Sequence, residues 1–83
     1  MLFRSPALSL ARRAGEVGGT LPAVFNAANE VAVDAFCNGR ITFEEIPAVV
    51  ARTMKRHEIV PHPGLEQILA ADSWARNVAL TPA

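Results

Sequence analysis

Few residues in this chain have a type and spacing that chemistry requires, and each such group has a competing structural reading. Cys37 is the single cysteine, and His57 and His62 are the two histidines. Cys37 with either imidazole could in principle make a thiolate and its base, but a lone cysteine near a helix end is more often a small buried hydrophobe. His57 and His62, with Glu58 between them, could start a metal site. Prolines flank His62, however, and no further Cys or His exists to complete a four-ligand set. Glu44 and Glu45 look like paired carboxylates, yet adjacent residues on a helix point in different directions, and negative charge in a first turn complements the helix dipole. Gly15, Gly18 and Gly19 lack the nearby lysine of a phosphate loop and follow a helix pattern where a dinucleotide fingerprint would follow a strand.

The segment Asn26-Ala27-Ala28-Asn29-Glu30 is more informative. Two carboxamides and a carboxylate on an otherwise apolar helix need partners wherever they are covered. In one reading, Asn26, Asn29 and Glu30 form a structural polar face, with Asn29 bonding the backbone of an adjacent loop. In the other they face a ligand or a further domain. The structural reading is the expectation, with Glu30 gaining a partner only when another domain is present.

The elements that would position these groups are helices. Ser5-Pro6 reads as an N-cap followed by proline at the first helical position, where the missing N–H is no loss, and predicts a helix over 6–14 in which Leu8, Leu10 and Ala11 pack. Gly15 to Gly19 then break it. Thr20 and Pro22 open a second helix to Cys37, ended by Asn38 and a left-handed Gly39. Val24, Phe25, Ala28, Val31, Ala32, Ala35 and Phe36 cover a broad arc of it, which predicts the most buried helix and places Phe25 and Phe36 in the core. Asn26, Glu30 and Asp34 line the other side. Thr42 to Glu45 reads as a capping box with an Ile41–Ile46 staple, opening a third helix over 43–57 whose first turn Pro47 tightens. Pro61-His62-Pro63 is an extended loop. A fourth helical segment over 65–80 should be interrupted at Asp72, a poor helix former followed by Ser73. The predicted fold is all-α, a single domain over residues 1–83 built as an up-and-down bundle of about four helices.

Composition agrees with that class. The chain is 51% hydrophobic with much Ala, so helices can approach closely. Eight basic residues balance eight acidic ones, which gives no field to draw nucleic acid or an anionic membrane. No apolar run approaches the roughly 20 residues a spanning helix needs. The single cysteine fits a reducing compartment, which makes cytoplasm the expected location. Met1 to Gly15 carries arginines and serines without acid, as an organellar presequence would, and the competing reading is a short amphipathic helix.

Leu21-Pro22-Ala23-Val24-Phe25-Asn26-Ala27-Ala28-Asn29-Glu30-Val31-Ala32-Val33 resembles the opening of the long helix in the carboxy-terminal domain of the 1-deoxy-D-xylulose 5-phosphate reductoisomerase family. Ala35-Phe36, Gly39-Arg40-Ile41 and Phe43-x-x-Ile46-Pro47 resemble its next stretch, and Leu65-Glu66-x-Ile68-Leu69-x-Ala71-Asp72-x-Trp74-Ala75-Arg76 its last. Pro6-Ala7-Leu8-x-Leu10-Ala11 is similar to its first helix. The resemblance extends over about residues 5–80.

That resemblance implies an oxidoreductase of isoprenoid synthesis, a homodimer that converts its substrate to 2-C-methyl-D-erythritol 4-phosphate using NADPH and a divalent metal, Mg or Mn. In the family, the nucleotide is held by an amino-terminal domain and metal and substrate by a central catalytic domain. The family's catalytic carboxylates and phosphate-binding residues have no matching positions here. No catalytic, cofactor-binding or metal residue is therefore assigned, and the chain is expected to be a fragment, a truncated gene product or an excised domain, inactive alone. Its expected partner is the catalytic domain, met through the polar row of the second helix. The alternative is a free-standing helical module that binds a partner helix. A module should expose a contiguous apolar patch, and a supporting domain a mainly polar face.

Overall fold

The computed structural model describes residues 6–82, and the expected cap at Ser5 lies outside them. Four helices follow one another, α1 (Pro6–Val17), α2 (Leu21–Cys37), α3 (Glu45–Arg56) and α4 (Leu65–Val78), with no strand among the described residues. The all-α class holds.

The second helix is the centre because its apolar positions are mostly alanine. Leu21, Val24, Ala27, Ala28, Ala32 and Ala35 are buried, and such small side chains let three neighbours come close. On one side α3 delivers Ile46, Val49, Val50 and Met54, with Ala14 of α1 beside them. On the other side α4 docks through Ala71, Ala75 and, just past its end, Ala79. This last helix packs on α2, while α1 packs on α2 and α3. The bundle is consequently open and flat, 34 × 32 × 19 Å.

The ends of α2 follow the sequence closely. Asn38 is followed by Gly39 at φ 74°, the Gly39 amide donates to the Phe36 carbonyl at 3.0 Å, and the Arg40 amide donates to Ala35 at 2.8 Å. These two bonds make a Schellman ending, which satisfies carbonyls that the helix leaves free. At the far end of the bundle, Arg52 Nη2 donates to the Ala79 carbonyl and Arg56 Nη1 to those of Val78 and Thr81, each at 3.3 Å. Two guanidinium groups of α3 thus cap the negative end of α4.

Six local expectations are corrected. The first helix runs through Gly15 to Val17 and ends where Gly18 and Gly19 take φ of 74° and 60°. A Cβ added at Gly15 would meet nothing within 4 Å, so no contact requires glycine there and its cost is that of backbone entropy. Leu8 is largely exposed, and only Leu10 joins the core from that turn. The third helix begins at Glu45, two residues later than expected. Pro47 cannot donate to Phe43, whose carbonyl instead takes the Ile46 amide at 3.2 Å in a tightened turn. Of the capping box, the structure has the backward half, the Thr42 amide donating to Glu45 Oε1 at 2.7 Å. The final helix passes Asp72 without a break, because that carboxylate pairs with Arg76 one turn on, at 2.7 Å, and so supports the helix it was expected to interrupt. Lastly, Phe36 is 40% exposed and stacks edge-on against Phe43, itself 67% exposed, with centroids 5.6 Å apart. Of the two rings expected inside, only Phe25 packs against the core, and only in part.

Candidate functional site

The glycine joint between α1 and α2 is fastened to the loop after α3. Thr20 donates its amide to the Val60 carbonyl at 3.1 Å, and its hydroxyl accepts the Val60 amide at 3.0 Å. That hydroxyl also lies 2.7 Å from His57 Nε2. With the Val60 amide already on Oγ1, the hydroxyl proton is free to point at Nε2, which favours a neutral imidazole accepting there. Burial holds the His57 pKa below its ordinary value, while the neighbouring Glu58 opposes that shift. The His57 ring packs 5.1 Å from the Trp74 ring of α4. A glycine is required at position 19, since a Cβ there would stand 2.5 Å from the Val60 carbonyl oxygen.

Thr20, His57, Val60, Gln67, Ala71 and Trp74 line a cleft of about 430 Å³ between α4 and this loop. It is mainly apolar, with an imidazole and an indole as its distinctive walls. Thr20 and Trp74 had no chemical signal in the sequence. Thr20 acts through contacts 37 and 40 residues along the chain, and Trp74 through the His57 ring, and local pattern does not report those.

The polar face of α2 is placed as follows. Asn26 is exposed, and the carboxamide of half-buried Asn29 makes no hydrogen bond among the described residues, so the expected bond to a loop is not formed. Glu30 does find a partner within the chain. Arg76 of α4 bridges it at 2.9 Å and Asp72 at 2.7 Å, and these two carboxylates hold the guanidinium pKa above its ordinary value. The expectation that Glu30 waits for another domain is overturned. Asp34 uses its backbone carbonyl to accept from Asn38 Nδ2 at 2.9 Å.

The remaining candidates are dispersed. Cys37 is exposed at the end of α2, contrary to its expected burial, and no hydrogen bond joins it to His57 or His62. His62 is exposed at φ 51° between its prolines. Glu45 serves its cap, and its pKa is lowered first by the backbone bond from Thr42. Among the described residues no three His, Cys, Asp or Glu side chains come together as metal ligands. The donor set does not fit a divalent metal, and no lysine-bearing glycine loop fits a nucleotide phosphate. No helix of the described residues is long and apolar enough to cross a membrane.

Residues 3–78 match the family described as the DXP reductoisomerase C-terminal domain. The chain is 55% identical over 71 residues to the 1-deoxy-D-xylulose 5-phosphate reductoisomerase of Halothermothrix orenii, a match that covers 86% of this chain and 18% of that protein. Against the enzyme of the same name from Pelotomaculum thermopropionicum it is 56% identical over 77 residues, 93% of this chain and 20% of the relative. Against that from Desulforamulus reducens it is 57% identical over 76 residues, 92% and 20% respectively. The chain therefore spans about a fifth of the length of the curated relatives it matches.

Proposed function

The chain belongs to the DXP reductoisomerase C-terminal domain family, and from that premise we propose that it is the non-catalytic helical support of a full-length reductoisomerase. The larger enzyme would carry out the NADPH- and metal-dependent conversion of 1-deoxy-D-xylulose 5-phosphate to 2-C-methyl-D-erythritol 4-phosphate, as a cytoplasmic homodimer. Catalysis and both cofactors belong to its other domains. The observation that carries this reading is the shape of the likeness: identity of 55–57% runs along 86–93% of this chain yet reaches only a fifth of each relative.

The test is a pair of measurements. The 83-residue chain should oxidise no NADPH with the deoxyxylulose phosphate and Mg. A chimera in which residues 3–78 replace the matching part of the Pelotomaculum enzyme should turn over. Turnover by the chain alone would overturn the proposal, and so would a chimera that folds but does not work.

One observation favours the second reading, a free-standing binding module. The structure carries exposed apolar side chains on α4, whereas the polar row of α2 is closed internally by Arg76. A polar outer face is present on α2, where Asn26, Glu30 and Asp34 are exposed, but Glu30 takes its partner from this chain and not from another domain. An inactive chimera, together with capture of an amphipathic helical peptide by the isolated chain, would support this alternative.

A further inference from the structure

Six consecutive residues, Leu65 to Ala70, are exposed in the first half of α4. Three are large and apolar: Leu65 is 71% exposed, Ile68 37% and Leu69 59%. At spacings of three and four they form one stripe. The cause is register. Ala71 and Trp74 lie beside Thr20, where α2 begins, and Arg76 reaches Glu30 in the middle of α2. Gln67 and Ala70 share the cleft with Thr20 and the loop that carries Val60, and Leu65, Ile68 and Leu69 do not line it. Among the described residues α4 packs chiefly on α2, and the stripe stays exposed. Six residues are too few to hold a helix by propensity alone, and an uncovered Leu-Ile-Leu stripe exposes apolar surface to water.

The chemistry of the stripe restricts what can cover it. Glu66 is the only charged residue among the six, so charge recruits neither an anionic nor a cationic partner. The matched part is 18–20% of each relative, which leaves roughly four fifths of their length outside it. In the opposite candidate surface, the polar row of α2, Glu30 is already paired with Arg76 of α4, which Asp72 of the same helix also holds.

We infer that the stripe Leu65, Ile68 and Leu69, and not the polar row of α2, is the surface that seats an apolar face of the remainder of a full-length reductoisomerase. This rests on the support-domain reading above. Covered in this way, the first half of α4 gains the packing that this chain alone does not give it.

Backbone hydrogen exchange tests the assignment directly, measured on the isolated chain and on the Pelotomaculum chimera. In the chimera the Leu65–Ala70 amides should exchange at least about tenfold more slowly than in the isolated chain, while those of Asn26–Asp34 change little. The double variant Leu65→Ser/Leu69→Ser should leave the melting temperature of the isolated chain unchanged, lower that of the chimera and abolish the extra protection. Phe43→Ser, at an exposed apolar site away from α4, should neither lower the melting temperature of the chimera nor abolish the extra protection of 65–70. Protection that falls on Asn26–Asp34 instead would overturn the surface while leaving the support reading intact. A chimera with no newly protected segment, or with no cooperative melt, would overturn both. Protection of 65–70 that rises with the concentration of the isolated chain would assign the stripe to a second copy and likewise overturn the inference.

Discussion

Replacing Thr20 by Val keeps the side-chain shape and removes one oxygen, the acceptor of the Val60 amide at 3.0 Å and the partner of His57 Nε2 at 2.7 Å. Thr20 is buried, so water cannot replace that oxygen without opening the joint. Stranding the amide costs about 1–3 kcal/mol. His57 is half-buried and lines the cleft, so its nitrogen can turn to water and adds little. The expected loss is about 2 kcal/mol, a large share of the roughly 5 kcal/mol at the low end of domain stability. Thr20→Ser retains the oxygen and should lose about 0.8 kcal/mol for its methyl group. Urea midpoints at about pH 7.5, with unchanged slopes, measure both variants. The pH dependence supplies an independent arm. Burial depresses the folded-state pKa of His57, so as pH falls the unfolded chain binds the proton first. The stability this histidine contributes is complete above the unfolded value of 6.5 and is lost as pH falls from there through the folded value. His57→Gln should flatten that part of the profile. A Thr20→Val loss below about 0.5 kcal/mol, or a Thr20→Ser loss as large as that of Thr20→Val, would refute the assignment of the joint to this hydroxyl.

Gly18→Ala meets open space and should cost about 1–2 kcal/mol for its left-handed backbone, whereas Gly19→Ala also drives a methyl to 2.5 Å from the Val60 carbonyl oxygen and should exceed it by at least about 1 kcal/mol in the same titration. Val24→Ala, at a site with no exposure, should cost about 2 kcal/mol or more, and Phe36→Ala less than about 1.5 kcal/mol; the reverse order in thermal melts would move the core. Asn29→Leu removes a carboxamide that holds no hydrogen bond and should leave stability within about 0.5 kcal/mol, so a large loss would reveal a partner for it.

The parts of the fold legible in the sequence are those decided within a few residues. The alanine-rich arc of α2, its start near Thr20 and Pro22, and its Asn38-Gly39 ending are local patterns, and each is found in place. Asp72 shows the reverse case. Its intrinsic preference for a cap is local, but Arg76 at i+4 and the burial of Ala71 and Ala75 on α2 outweigh it. Phe36 fits the helical period of the core yet lies on the last turn of α2, 40% exposed and covered by Phe43 alone among the aromatic rings it meets, so periodicity overstates its burial. Glu30 could be seen to need a partner, but not which one, since Arg76 lies 46 residues on. The cleft was invisible altogether, because Thr20, His57 and Trp74 meet only when three elements are assembled.

That α4 leans on α2 also bears on how the chain acquires its shape during synthesis. The first three helices make their mutual contacts without the fourth, so they can collapse as the ribosome releases them, and the Thr20–Val60 stitch closes once the segment after α3 emerges. The last helix then has only to roll its alanines onto a surface that is already built, and the guanidinium groups of Arg52 and Arg56 are waiting at the place where its carbonyls arrive. A nascent chain stalled before Leu65 would present α2 with one flank bare. During that interval the molecule is most open to capture by chaperones or by another unfinished copy.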